Sequence, residues 1–230
     1  MGMTGTPSCR WIVLSAIGLC GSLILFHWTD LDIRVQQFFY SEADGAWVWS
    51  ASEPISRFLL YDGVKALLIV VVLSALAVLI YDKRRHFLGA RRRPLVILAM
   101  SLLIVPFSVS ALKATTNVPC PHDIVGFGGQ LPHVGVLDTW PSGSKPAQRL
   151  RCFPAGHASG GFALLALVLF GRDRREKMLI ALGVLVLGWA MGTYKMIIGD
   201  HFLSHTVVSM FIGALLVSCL DKFAPRDESD

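Results

Sequence analysis

Long apolar runs separated by shorter polar segments dominate the sequence. Six of these runs reach or approach the roughly 17–25 residues that a helix needs to cross a bilayer. They cover residues 11–28, 58–81, 94–112, 157–170, 178–197 and 201–220. The pattern predicts an all-α integral membrane protein with about six transmembrane helices, built as one membrane domain over residues 1–230.

Two further segments do not fit a membrane span. Residues 31–40 mix apolar with charged positions and predict a short helix in the membrane interface. Residues 113–156 are rich in glycine and proline and too polar to span, so they predict a long loop between the third and fourth helices. Loops of this length without secondary structure are usually functional.

The basic residues predict which way the helices face. Residues 82–93 carry six basic residues against one acidic residue, and residues 171–177 carry four against two. Residues 29–58 reverse the balance, with two basic against five acidic residues. Because lysine and arginine are enriched in cytoplasmic loops, both basic loops and both chain termini are expected in the cytoplasm. The acidic loop and loop 113–156 then face outward, which in the inner membrane of a bacterium is the periplasm.

The amino-acid composition excludes several classes of protein. The chain is 53% hydrophobic and only 16% charged, against about 25% charged residues in a typical soluble domain. This composition excludes an ordinary soluble domain, and it excludes a disordered chain because disorder requires low hydrophobicity and high charge. The net charge of +5 is explained by the basic loops, so no nucleic-acid partner is expected.

Chemically useful side chains collect at three predicted helix ends on the outer face. Lys113 ends the third helix, His157 opens the fourth, and Lys195, His201 and His205 flank the turn between the fifth and sixth. Helix N-termini and lysines attract anions, while two imidazoles supply a nucleophile and an acid–base group. His201 and His205 are spaced i and i+4, so the second is expected to orient the first. The pattern predicts a phosphate site with no cofactor and no bound metal.

These residues resemble the type 2 phosphatidic acid phosphatase superfamily. Its signature has three parts: K-x6-R-P, P-S-G-H and S-R-x5-H-x3-D. The corresponding residues here are Lys113 with Cys120-Pro121, then Pro154-Ala155-Gly156-His157, then Lys195, His201 and His205. The resemblance covers about 94–220 and implies a catalytic core there. It implies that His201 attacks phosphorus to form a phosphohistidine, and that His157 protonates the leaving oxygen and then activates water.

Four motif positions depart from the family pattern. Cys120 and Lys195 replace arginines, Ala155 replaces the serine, and His205 replaces the aspartate. Lysine does not reproduce the planar two-pronged contact of arginine with phosphate. The phosphate ligands expected here are therefore those that remain or could substitute: Lys113, Lys195, the backbone at Gly156, and Arg149 or Arg151. For the missing carboxylate the candidates are Asp200 and Asp138.

Cys120 and Cys152 predict a disulfide. Both lie next to a motif, in a compartment that would be oxidising. A bond between them would close a loop of about thirty residues, contribute roughly 3–4 kcal/mol, and tie the first motif to the second.

The function expected from these residues is a metal-independent phosphatase in the bilayer that hydrolyses a lipid phosphomonoester or diphosphate. A lipid phosphotransferase that uses the same histidine is one alternative. A metal-dependent hydrolase with His157, His201, His205 and Asp200 as ligands is a second, and a non-enzymatic membrane protein is a third. The sequence does not select among lipid substrates.

Overall fold

Helices make up nearly all of the regular structure, as seen in a computed structural model that describes residues 7–225. The two chain ends, predicted to be cytoplasmic, lie outside the described residues. The helices are α1 (Pro7–His27), α2 (Leu31–Gln37), α3 (Pro54–Arg57), α4 (Gly63–Arg85), α5 (Arg92–Thr115), α6 (Gly156–Ala163), α7 (Arg174–Ile197) and α8 (Leu203–Phe223). A two-stranded antiparallel hairpin pairs β1 (Tyr40–Ser41) with β2 (Ala46–Trp47). The predicted all-α membrane fold is confirmed.

Five helical segments are long and apolar enough to cross a membrane. They are Ser8–His27, Pro54–Arg85, Gly89–Thr115, Arg174–Ile197 and Leu203–Phe223. The second begins four residues before the predicted start at position 58, because the Glu53 carboxylate accepts the N–H groups of Ile55 and Ser56 and so caps α3. A π-helical turn over Phe58–Asp62 joins α3 to α4.

The predicted fourth span is shorter than these five. Eight residues of α6 are followed by seven residues of 3-10 helix, Leu164–Phe170. Since a 3-10 helix rises about 2.0 Å per residue against 1.5 Å for an α-helix, the segment extends about 26 Å, close to the hydrocarbon thickness of about 30 Å. Where the helix type changes, the Ser101 hydroxyl donates to the Ala163 carbonyl at 2.9 Å. The segment lies among α5, α7 and α8.

Small residues allow α6 and α7 to pack closely. A Cβ atom added to Gly161 of α6 would lie 2.9 Å from the Cα atom of Gly188 on α7. The fully buried Phe162 ring occupies the space next to Gly188. Helices in membranes associate through such small-residue contacts, because lipid provides no hydrophobic force between them.

The basic loops and the sequence motifs lie at opposite ends of the bundle. At the basic end, Asp221 near the end of α8 accepts from the Ser8 hydroxyl of α1 at 2.5 Å and pairs with Arg93 of α5 at 3.1 Å. At the other end, the last turn of α5, the first of α6, the last of α7 and the first of α8 carry the motifs.

Helix α2 differs from the predicted interfacial helix in the face that it buries. Its polar residues Asp32 and Gln36 are buried, whereas the neighbouring Phe38 is 80% exposed. The Asp32 carboxylate accepts the Ser204 N–H at 2.8 Å, and the Gln36 amide donates to the Met196 carbonyl at 2.7 Å. Helix α2 therefore binds the end of α7 and the start of α8 through backbone groups at the helix ends, which the sequence pattern does not reveal.

Candidate active site

The turn between α7 and α8 positions two motif residues. Gly199 adopts a left-handed conformation (φ 80°), and its N–H donates to the Met196 carbonyl at 3.0 Å. The Asp200 N–H donates to the Lys195 carbonyl at 2.8 Å, which completes a Schellman motif. Glycine suits this position because a positive φ is sterically unfavourable for residues that have a Cβ atom. The chain thus reverses within a few residues and brings Lys195 and His201 to the same end of the bundle.

The two histidines of the third motif contact each other. Nδ1 of His201 lies 3.3 Å from Nδ1 of His205, and the two residues are only 5% and 1% exposed. His201 precedes α8, which begins at Leu203, so the predicted helix start at position 201 is wrong, and the i and i+4 spacing of the two histidines does not place them on one helix face. The extended residue Phe202, rather than a helical turn, brings the rings together.

Burial keeps the His201 imidazole neutral. Loss of solvent lowers the pKa of His201 well below its usual range, and the basic side chains around it lower this pKa further. A neutral imidazole retains one nitrogen lone pair, which a nucleophile requires.

A disulfide within the long loop lies next to this histidine pair. Cys120 and Cys152 are bonded, and Val118 and Arg151 form a parallel bridge beside them. The Cys152 sulfur is buried and lies 3.6 Å from Nδ1 of His201. The first and second motifs are therefore covalently linked directly next to the third.

Tyr61 is a site residue that the sequence analysis missed. Its ring stacks on the His157 ring with centroids 4.0 Å apart and an interplanar angle of 7°. The Lys195 ammonium lies 4.3 Å from the centroid of the Tyr61 ring. The π-helical turn places Tyr61 here, and such turns are frequent at functional sites. The sequence does carry one signal for this region: Asp62 and Lys65 are charged residues within an apolar run, and such residues indicate a functional site.

One cavity of about 240 Å³ collects these groups. Its lining residues are Tyr61, Lys113, Cys120, Cys152, His157, Lys195, Asp200 and His201. Among them are two lysines and a single acidic residue, Asp200, which pairs with Lys195 at 2.8 Å. Two histidines, two cations and the N-terminus of α6 around one cavity suit an anion that undergoes acid–base or nucleophilic chemistry.

A model of the PAP2 superfamily matches residues 94–226, more than half of the chain. The chain belongs to the PAP2 superfamily. This is the type 2 phosphatidic acid phosphatase superfamily that the motifs resembled, and membership indicates a phosphatase-type hydrolase. No curated protein and no solved structure matches the chain.

Within this PAP2 superfamily chain, the matched region supplies most of the cavity. Lys113 comes from α5, His157 from α6, and Lys195 from α7. Tyr61 lies outside the matched residues, so the N-terminal helices complete the cavity. Gly156 opens α6 next to His157 but does not line the cavity itself.

Three of the predicted substitute ligands lie elsewhere. Arg149 is exposed and donates to the carbonyls of Ala114 and Thr115 at 2.9 and 3.2 Å, so it caps the end of α5. Arg151 is also exposed and does not line the cavity. Asp138 pairs with a histidine of α1 rather than with His201. These three groups therefore do not line the cavity, whereas Asp200, the other candidate for the missing carboxylate, does.

The alternative metal-ligand set is also not assembled as predicted. Within residues 7–225, the ligand atoms that lie within 4.8 Å of one another at the site belong to Cys152, His201 and His205. His157 is not part of this group. Asp200 is not part of it either, so the predicted set of His157, His201, His205 and Asp200 does not come together as one group of ligand atoms.

Proposed function

We propose that this PAP2 superfamily chain is a metal-independent lipid phosphatase of a bacterial inner membrane. It hydrolyses a lipid phosphomonoester or diphosphate at the periplasmic face, through a phosphohistidine at His201. The observation that carries the proposal is the single cavity lined by Lys113, His157, Lys195 and His201 at the end of the bundle away from the basic loops.

The hydrogen bond between the two histidines sets the tautomer that the reaction needs. If Nδ1–H of His201 donates to Nδ1 of His205, the lone pair of His201 is left on Nε2. His205 then serves as a neutral acceptor where the family has a carboxylate. A carboxylate stabilises a cationic imidazole ring better than a neutral acceptor does. Other groups at the site must therefore stabilise more of the positive charge that the His201 ring acquires.

The reaction proceeds in two displacements. Nε2 of His201 attacks phosphorus, the bond from phosphorus to the lipid oxygen breaks, and His157 gives its proton to that oxygen. His157 then takes a proton from water, whose oxygen attacks phosphorus and breaks the bond to Nε2. Inorganic phosphate leaves, and both histidines return to their starting protonation states.

Charge on the transferred phosphoryl group is balanced by Lys113, Lys195 and the backbone N–H groups at the start of α6. Positioned cations and amide donors are the main catalytic devices for phosphoryl transfer. Lys113 and Lys195 lie within the last turns of α5 and α7, at the ends of two candidate spans, where a bilayer crossed by these spans would present its lipid phosphates. The asymmetry of basic residues between the two ends supports the periplasmic orientation.

Phosphate release from a panel of lipid phosphates and diphosphates tests the proposal. Wild-type protein should release phosphate in the presence of a chelator and be inhibited by vanadate, whereas His201→Asn should be inactive. His86→Asn is the matched control, because His86 is exposed at the basic end. A radiolabelled lipid phosphate should leave a base-stable, acid-labile label on wild-type protein only. Equal activity of His201→Asn and wild type would contradict the mechanism.

A further inference from the structure

We propose that reduction of the Cys120–Cys152 disulfide opens a zinc site whose ligands are Cys152, His201 and His205, with Cys120 as the fourth. Zinc bound there would occupy the nitrogen through which His205 orients His201. Metal binding itself requires only the geometry described here, whereas its inhibitory effect rests on the proposed function.

Two of the three separations between the ligand atoms match those around tetrahedral zinc. Bonds of about 2.3 Å to sulfur and 2.0–2.1 Å to nitrogen place two nitrogen ligands about 3.3–3.4 Å apart, and nitrogen and sulfur about 3.5–3.6 Å apart. The observed distances are 3.3 Å from Nδ1 of His201 to Nδ1 of His205, and 3.6 Å from the same Nδ1 to the Cys152 sulfur. All three ligand atoms lie within 4.8 Å of one another.

The surroundings hold the cysteines independently of the disulfide. The Cys152 N–H donates to the Val118 carbonyl at 3.3 Å, and Cys152 itself is fully buried. The Cys120 N–H donates to the Asp123 carboxylate at 2.9 Å. We therefore expect the two thiols of the reduced protein to stay close to each other. Cys152 lies within 4.8 Å of both histidines, and Cys120 lines the same cavity as His201. Two cysteines and two histidines form a common structural zinc set.

A dithiol serves as the reductant of the Cys120–Cys152 bond. The dithiol transfers two electrons and two protons to the S–S bond, which becomes two thiols, and is itself oxidised to a disulfide. Zinc then displaces the thiol protons and binds the thiolates, while each neutral imidazole contributes the lone pair of Nδ1. His201 must then carry its proton on Nε2. This is the opposite tautomer to the one required for attack on phosphorus, so the metal-bound protein lacks its nucleophile.

Cobalt titration of the full chain in detergent tests the site without any substrate. Protein is reduced with a dithiol, freed of it under argon, and titrated with Co²⁺. Reduced wild type should bind one Co²⁺ per chain, with tetrahedral d–d bands and a thiolate-to-cobalt charge-transfer band, and Zn²⁺ should bleach both. Oxidised wild type should show neither band.

Two variants and a control assign the ligands. Reduced Cys120→Ser/Cys152→Ser, which lacks both proposed thiolate ligands, should lose the charge-transfer band, and reduced His205→Gln should bind Co²⁺ at least about tenfold more weakly. Cys219→Ser, which changes a free cysteine in α8, should match wild type. Equal binding by the oxidised and reduced proteins would overturn the proposal, as would a charge-transfer band that persists in the double cysteine variant, or binding by His205→Gln as tight as that of wild type. Neither result would alter the outcome of the phosphate-release test, so the zinc site and the phosphatase function can each be refuted without the other.

Discussion

Replacing Tyr61 tests whether a residue outside the matched PAP2 region takes part in the site. The Tyr61 ring contacts both His157, by stacking at 4.0 Å, and Lys195, at 4.3 Å from the ring centroid. Tyr61→Leu keeps an apolar side chain but removes the aromatic face. Tyr61→Phe keeps the face and removes only the hydroxyl, so it is the matched control.

The two contacts of the Tyr61 ring set the size of the activity loss expected for Tyr61→Leu. A stacked pair contributes about 0.5–1.5 kcal/mol, and a cation over a ring about 0.5–2 kcal/mol. The Lys195 side chain is only 14% exposed, which favours the larger cation contribution. The sum of about 1–3.5 kcal/mol corresponds to a roughly 5- to 400-fold fall in kcat/KM for Tyr61→Leu, with Tyr61→Phe close to wild type.

The assay is phosphate release from whichever lipid of the panel the wild-type protein cleaves, at subsaturating substrate. Thermal unfolding of each variant, followed by intrinsic fluorescence in the same detergent, verifies that the fold is retained. A folded Tyr61→Leu variant with wild-type kcat/KM would refute the argument. A loss in Tyr61→Phe as large as that in Tyr61→Leu would refute it equally, because the ring face could not then be the cause.

Two further predictions concern stability. Burial raises the pKa of Asp32 to about 6, so the folded protein binds the extra proton and stability should fall by about 3 kcal/mol as the pH rises from 4 to above 6. Asp32→Asn retains an acceptor for the Ser204 N–H and should lack this fall when unfolding is compared at pH 4 and pH 8; an unchanged pH dependence would show that Asp32 is not its source. Gly188→Ala should destabilise the protein by about 1–3 kcal/mol because its Cβ would overlap the Phe162 ring, whereas Gly183→Ala on the same helix meets no atom within 4 Å and should not. Equal thermal midpoints for these two glycine variants would contradict the packing argument.

Much of the site could be predicted from the sequence because its main residues lie at helix ends. The apolar runs specify where helices cross, and the crossing order then requires that Lys113, His157, Lys195 and His201 share one end. The length of each run and the charge of each loop are enough for this prediction, and both are properties of consecutive residues.

Contacts between distant segments could not be predicted in this way. Arg149 was an obvious candidate for a missing phosphate ligand, yet it donates to the carbonyls at the end of α5. Helix α2 appeared interfacial from its apolar residues, yet its polar side chains bind the ends of α7 and α8. In both cases a backbone group at a helix end binds the side chain, and which end lies within reach depends on how the helices pack.

The sequence by itself determined the fold class, the location of the chemistry at one end of the bundle and the order of the motif residues. Only the tertiary structure decided that Tyr61 stacks on His157, that His201 faces His205 through Nδ1, and that a disulfide lies against them. Hydrophobic length and loop charge act along consecutive residues and so can be read directly from the sequence. Distances of 3–4 Å between side chains depend on packing and turn geometry that bring remote residues together, and these emerge only when the whole chain is folded.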